Sequence, residues 1–303
     1  MCGFIQHYKW KRVVQKCQMS SYPLRLSFKK FGKECKLAPI IILHGLFGQK
    51  MNWNSIANVL QYRLETVVFS LDLRNHGDSP WHPTMTYAEM ANDVKYFIDD
   101  ILPQQIGKLS RIHLLGHSMG GKTAMHFALM EGSSERLKSL IIEDIAPKKY
   151  ISSTKFPKII NAMKSINLNT SRNEIEQKLA QTITDRTLRM FLLMNLSRLD
   201  KQKYRWQLNL DSIQNCMHEI SGNGIQDKGV YHGKCLFVSG ANSDYIKPID
   251  HTLILERFPK ALFSVIAGAS HWVHAEKPYE FTDVIADFIS SVEFEHYNKC
   301  NKK

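Results

Sequence analysis

Three stretches of this chain carry residue types that could perform acyl transfer. The first is Ile112-His113-Leu114-Leu115-Gly116-His117-Ser118-Met119-Gly120-Gly121-Lys122, an apolar run of strand type that passes into a helical pattern through Gly-x-Ser-x-Gly. Such a chain must turn sharply, holding the serine in a strained backbone conformation that only small flanking residues permit. The turn presents the Ser118 hydroxyl above the amino end of the following helix, where free N–H groups favour negative charge. The second stretch, Ile41-Ile42-Leu43-His44-Gly45-Leu46-Phe47-Gly48, again ends a strand pattern in a glycine-rich turn. Attack on a carbonyl passes through a tetrahedral oxyanion, which two aimed backbone N–H groups stabilise by several kcal/mol. The expected donors are Met119 and Leu46, with Phe47 the alternative to Leu46.

The third stretch supplies the base that a serine hydroxyl needs before it becomes a nucleophile. Of the 13 histidines, His271 is placed best, in Phe263-Ser264-Val265-Ile266-Ala267-Gly268-Ala269-Ser270-His271-Trp272, a loop after the last strand pattern. His274 is its nearest rival, and a packing or surface role is expected for it. His44 and His117 read as hydrogen-bonding parts of their turns, and His76 lies in the loop Asp72-Leu73-Arg74-Asn75-His76-Gly77-Asp78-Ser79. Three aspartates could orient the imidazole: Asp144, Asp211 and Asp244. The residues alone leave that choice open. No His/Asp/Glu spacing points to a metal, and nothing calls for a cofactor.

These groups need elements to hold them. From Ala38 onward, short apolar runs alternate with helical patterns, the mark of a largely parallel sheet covered on both faces. The predicted strands are 40–43, 66–71, 112–115, 140–142, 235–238 and 262–266. The predicted helices are 53–61, 87–102, 121–130, 251–257 and 279–290. In 87–102, Met90, Val94, Phe97, Ile98 and Ile101 recur at three- and four-residue spacing, so that face should pack on the sheet. Between Lys148 and Asn209 only helical patterns are predicted (156–166, 174–183, 186–196), which reads as a lid inserted between strands.

Composition narrows the classes further. The formal charge is +12, but residues 1–33 hold eight Lys or Arg and no acid, leaving +4 for the other 270 residues. Nucleic-acid binding is therefore not expected. The basic, acid-free start reads as a mitochondrial transit peptide or a solvated basic tail. Six scattered cysteines form no CxxC pair and suggest neither a disulfide framework nor zinc; Cys216 and Cys235 read as small packed hydrophobes. A reducing compartment, cytosol or mitochondrial matrix, follows. No apolar run is long enough for a transmembrane helix.

The segments HGLFGQKMNW, LDLRNHGDSPWH, GHSMGGKTAM, IEDIAP, WQLNLDSI, SGANSDYI and GASHWVHAEKP, in that order, resemble the alpha/beta-hydrolase domain-containing protein eleven group and its bacterial esterase relatives. The resemblance spans about Pro23 to Ile289. It implies an α/β-hydrolase fold: a mostly parallel eight-stranded sheet with helices on both faces and a helical lid. It also implies a serine triad acting on small acyl-ester or lipid substrates, whether esters, thioesters or acylglycerols. Bacterial relatives use an acid that maps onto Asp144, members also carry one like Asp211, and close relatives can lack one at Asp244. Mitochondrial location and association with a 2-oxo acid dehydrogenase complex are further implications of the resemblance. The expected organisation is a leader or tail at 1–22, core at 23–147, lid at 148–210, core at 211–292 and a polar tail at 293–303. The competing reading is a binding or scaffold protein that keeps this fold with little or no turnover. Dehalogenase or epoxide-hydrolase chemistry would need an aspartate where Ser118 stands.

Overall fold

A computed structural model describes residues 22–33, 36–107, 111–150, 155–222, 225 and 229–300. The leader expected at 1–22 lies almost wholly outside them.

The central sheet contains β1 (Phe28–Phe31), β2 (Ile40–Leu43), β3 (Val68–Leu71), β4 (Ile112–His117), β5 (Leu137–Glu143), β8 (Lys234–Gly240) and β9 (Ala261–Ile266). Its spatial order is β1-β3-β2-β4-β5-β8-β9, with β1 antiparallel and the rest parallel. A separate hairpin pairs β6 (Leu196–Asp200) with β7 (Lys203–Trp206). The helices are α1 (Asn54–Leu64), α2 (Tyr87–Tyr96), α3 (Leu102–Ile106), α4 (Met119–Leu129), α5 (Lys155–Lys164), α6 (Arg172–Ala180), α7 (Arg186–Leu193), α8 (Leu210–Asn215), α9 (Met217–Gly222), α10 (Asp250–Arg257), α11 (Val273–Glu276) and α12 (Pro278–Cys300). A wider π turn at Phe97–Ile101 joins α2 to α3.

Strands buried on both faces read as unbroken apolar runs, and their alternate side chains divide between two cores. Ile41, Leu43, Phe69, Leu114 and Ile142 enter one core, with Met90, Val94, Phe97, Ile98 and Ile101. Ile40, Ile42, Val68, Leu115 and Ile141 enter the other, with Trp53 and Leu60 near or on α1 and Phe281 and Ile285 on α12. The chain goes from β2 to β3 on one side, then crosses back to β4 on the other. That reversal brings the turns after β2 and β4 together, with Leu43 paired to Gly116, and such switch points are where α/β sheets bind ligands.

Two expectations are corrected. The sheet has seven strands among the described residues, not eight. Ahead of β1, the Leu24 N–H donates to the Asp93 carboxylate and the Ser27 N–H to Ser79 Oγ, so these amides serve side chains instead of another strand. The insertion between β5 and β8 is also not purely helical, since it contains the β6–β7 hairpin. Helix α7 stops at Leu193, and buried Asn195 gives its side-chain amide to the carbonyls of Leu192 and Phe47. In the hairpin that follows, β6 is polar and mostly exposed and lacks the apolar alternation that marks a strand. In β7 only Tyr204 and Trp206 alternate with lysine and arginine, too short a run to stand out.

Candidate active site

Ser118 stands between β4 and α4 with φ 52° and ψ −114°, a conformation that non-glycine residues rarely adopt. The flanking glycines are required by contact. A Cβ on Gly116 would lie 2.3 Å from the Gly120 carbonyl oxygen, and one on Gly120 would lie 2.4 Å from that of Leu43.

Residues 118, 144 and 271 meet in a single hydrogen-bonded line. Ser118 Oγ lies 3.0 Å from His271 Nε2, and His271 Nδ1 lies 2.7 Å from Asp144 Oδ2. Asp144 follows β5 with φ 49° and no solvent exposure. Its other contacts are a short hydrogen bond from Ser243 Oγ and a longer one, 3.4 Å, from the Gly240 N–H. The other two candidate acids are elsewhere. Asp211 is exposed and paired with Lys164 at 2.5 Å; Asp244 is exposed and paired with Lys247 at 2.9 Å.

His271 is held on several sides. Its ring stacks on Tyr245 with centroids 3.7 Å apart, and its carbonyl oxygen is 3.0 Å from His117 Nε2. Its neighbour Ser270 binds the Glu276 carboxylate through both N–H and hydroxyl. His274, expected in a packing or surface role, is buried. Its Nδ1 is 2.7 Å from Glu143, and its ring stacks on Trp53 at 4.1 Å. His117, Glu143 and His274 bring possible ligand atoms within 4.8 Å of one another. Within this group His117 Nε2 hydrogen-bonds the His271 carbonyl and His274 Nδ1 the Glu143 carboxylate.

The turn after β2 is fixed by two buried neutral histidines. Burial lowers His44 to about 4 and His76 to about 3. His44 Nδ1–H donates to the Gly45 carbonyl, while its Nε2 accepts from the Leu73 N–H at 2.9 Å. His76 Nδ1–H donates to the Arg74 carbonyl, and its Nε2 accepts from the Phe47 N–H at 3.2 Å. The Phe47 amide is thereby occupied. The N–H groups of Leu46 and Met119 have no hydrogen bond among the described residues, and both residues border the space beside Ser118.

Two cavities flank Ser118. The larger, about 140 Å³, is lined by His271, Trp272, Phe156, Ile159, Leu188 and Phe191. The smaller, about 50 Å³, is bordered by Leu46, Met119, Lys122, Tyr87 and Tyr150. Sequence reasoning missed Ser243, Tyr245, Lys122, Glu143 and Asn195. Ser243 and Tyr245 flank Asp244, the residue that drew attention in SGANSDYI. No local signal marks them, because their partners lie in distant segments.

Comparison with known proteins agrees with this architecture. The family model described as alpha/beta hydrolase fold matches residues 38–278. The "sn-1-specific diacylglycerol lipase ABHD11" of Danio rerio is 37% identical over 273 residues, covering 88% of this chain and 83% of that protein. "Esterase YbfF" of Escherichia coli is 34% identical over 243 residues, covering 80% of this chain and 89% of its own. A solved "Marine microorganism esterase" superposes with a TM-score of 0.80 at 41% identity, covering 88% of this chain and 99% of the other.

Proposed function

This chain belongs to the alpha/beta hydrolase fold family, in the alpha/beta-hydrolase domain-containing protein eleven group, and on that premise we propose a serine hydrolase that cleaves acyl esters through an acyl-enzyme. The observation that carries this reading is the pair of distances, 3.0 Å and 2.7 Å, linking Ser118 to His271 and His271 to Asp144.

In the proposed cycle, Ser118 Oγ gives its proton to His271 Nε2 as it attacks the carbonyl carbon. Asp144, acting through Nδ1, fixes the tautomer and stabilises the imidazolium. The N–H groups of Leu46 and Met119 hold the oxyanion, each worth roughly 3 kcal/mol of barrier. Leu46 is preferred to Phe47 because the Phe47 amide already donates to His76. His271 then protonates the leaving group, and water releases the acyl chain by the same route. Ser243, bonded to Asp144, keeps that carboxylate aimed at Nδ1.

A fluorophosphonate probe should label the folded protein, and Ser118→Ala should abolish both labelling and ester hydrolysis. Labelling that survives this substitution would sink the proposal. Absent turnover on a broad ester panel, with tight binding of a partner, would favour the scaffold reading instead.

Carboxylesters, thioesters and acylglycerols all fit this mechanism. For location we propose the mitochondrial matrix, on the acid-free basic composition of residues 1–33. Failure of those residues to carry a reporter into mitochondria would overturn it. Among the described residues, no helix is long and apolar enough to cross a membrane.

A further inference from the structure

Lys122 lies one turn beyond Ser118 on α4, its N–H bonded to the Ser118 carbonyl at 2.9 Å, and it is almost fully buried. Its Nζ sits 5.5 Å from the ring centroid of Tyr87 and 5.0 Å from that of Tyr150. Both rings are fixed by their hydroxyls: Tyr87 donates to the Ile220 carbonyl at 2.7 Å and Tyr150 to that of Tyr245 at 2.6 Å. Aromatic faces attract a cation through the ring quadrupole, and both rings hold Nζ on the cavity side of α4. The proposed mechanism gives Lys122 no part in the reaction, yet it borders the smaller cavity together with Ser118.

The chemistry of the proposed cycle assigns the two cavities. His271 must protonate the leaving group, so that group occupies the larger cavity, which His271 lines. The acyl chain is left with the smaller one, which alone of the two is bordered by Met119; Leu46 lies between them. Its volume of about 50 Å³ holds roughly three to five water-sized groups at about 10–15 Å³ each.

We propose that this smaller cavity is the acyl subsite and that Lys122 selects short acyl groups ending in an anionic oxygen, such as the half-ester of a small dicarboxylic acid. The inference rests on the serine-hydrolase reading. An ammonium has three N–H donors, so it can add a carboxylate to whatever contacts it already makes. Burial lowers Lys122 to about 8, which leaves it mostly charged at neutral pH.

The test compares ethyl hemisuccinate with ethyl 4-methylpentanoate, an uncharged ester of similar shape, by kcat/KM. The unaltered protein should prefer the hemisuccinate. Lys122→Met should cut that preference at least about tenfold, chiefly through KM, the scale of a lost charged hydrogen bond. Lys122→Arg should keep part of it. Equal rates on the two esters in the unaltered protein, or an unchanged preference in Lys122→Met, would overturn the proposal. Where the variants do not fold, free succinate decides: it should slow fluorophosphonate labelling of the unaltered protein, and 4-methylpentanol should not. Equal protection by both would overturn the proposal. Loss of all labelling and turnover in the unaltered protein would instead fault the hydrolase reading, and this inference with it.

Discussion

His271 meets Asp144, and three residues later His274 meets Glu143, the residue just before Asp144. In both pairs the closest Nδ1–carboxylate distance is 2.7 Å. Their surroundings differ. The second nitrogen of His271 reaches Ser118, and its side chain keeps 18% exposure toward a cavity. The ring of His274 lies against Trp53, its carboxylate also binds the His274 N–H, and neither residue is open to solvent. Burial raises Glu143 to about 7 and lowers His274 to about 3, so that between those values the pair is largely neutral. The same two side-chain types thus make a reaction centre in one place and a brace behind it in the other. What the far nitrogen can touch, and whether a substrate can reach it, separates the two.

Asp144→Asn should test that distinction most severely. It disturbs the tautomer that leaves Nε2 free to accept, so kcat should fall by roughly 10³ to 10⁴. Steady-state kinetics should show KM little changed, and thermal melting should show that the fold is retained. If activity falls no further than it does in Glu143→Gln, the division of roles fails.

Acid should loosen the fold through the buried histidines that brace it. His44, His76, His117 and His274 are held by burial at about 3 to 4 in the folded chain, against about 6.5 unfolded. Between those values the unfolded chain binds more protons, so stability is full above pH 6.5 and falls as pH drops. Each such histidine costs up to about 1.4 kcal/mol per pH unit in that window. Glu143 works in the opposite sense: its folded value exceeds the unfolded one, so its contribution is greatest below about pH 4.5 and fades up to about pH 7. One group against four leaves net acid lability. The melting temperature should drop steadily from pH 6.5 to 4.5, and a flat profile would remove the neutral-histidine account.

Glu143→Gln should be the milder counterpart. The glutamine oxygen can still accept from His274, but its NH₂ group is bulkier than the carboxyl oxygen it replaces and brings a second N–H to satisfy, at a cost of about 1–3 kcal/mol for a buried polar group. Activity should stay within about tenfold of normal. Because the wild-type carboxyl loses ground as pH rises, the deficit in melting temperature should shrink between pH 4.5 and 7. A deficit that grows with pH would mean that Glu143 is charged and salt-bridged.

Much of this was readable from sequence where local physics decides. The apolar runs of β2 and β4 declared themselves because both their faces are buried, and Ser118 did because Gly116 and Gly120 have no room for a side chain. The sheet edge did not. In β1 the sequence Phe-Lys-Lys-Phe pairs on one side only, and Lys29 and Lys30 mask it as a solvated segment. The braces were hidden for another reason. Glu143 and His274 are 131 positions apart, and only the packing of α11 against the end of β5 brings them together. The acid was ambiguous on the same ground, since three aspartates follow plausible elements and only tertiary placement puts one of them against His271.

That ambiguity makes the smallest expected effect informative. Asp211 and Asp244 were candidates for the role of Asp144, yet their side chains are 78% and 90% exposed, each beside a lysine. Solvent screens exposed ion pairs so that they contribute little, and substitutions at such sites seldom disturb the fold. Asp211→Asn and Asp244→Asn should therefore change kcat by less than about twofold and leave the pH–rate profile in place. Asp244 carries the sharper version of the test, because it adjoins both Ser243 and Tyr245. A tenfold loss in Asp244→Asn, with the fold intact by melting, would mean that its loop swings in during turnover. The comparison between reaction centre and brace would then have to include a third carboxylate.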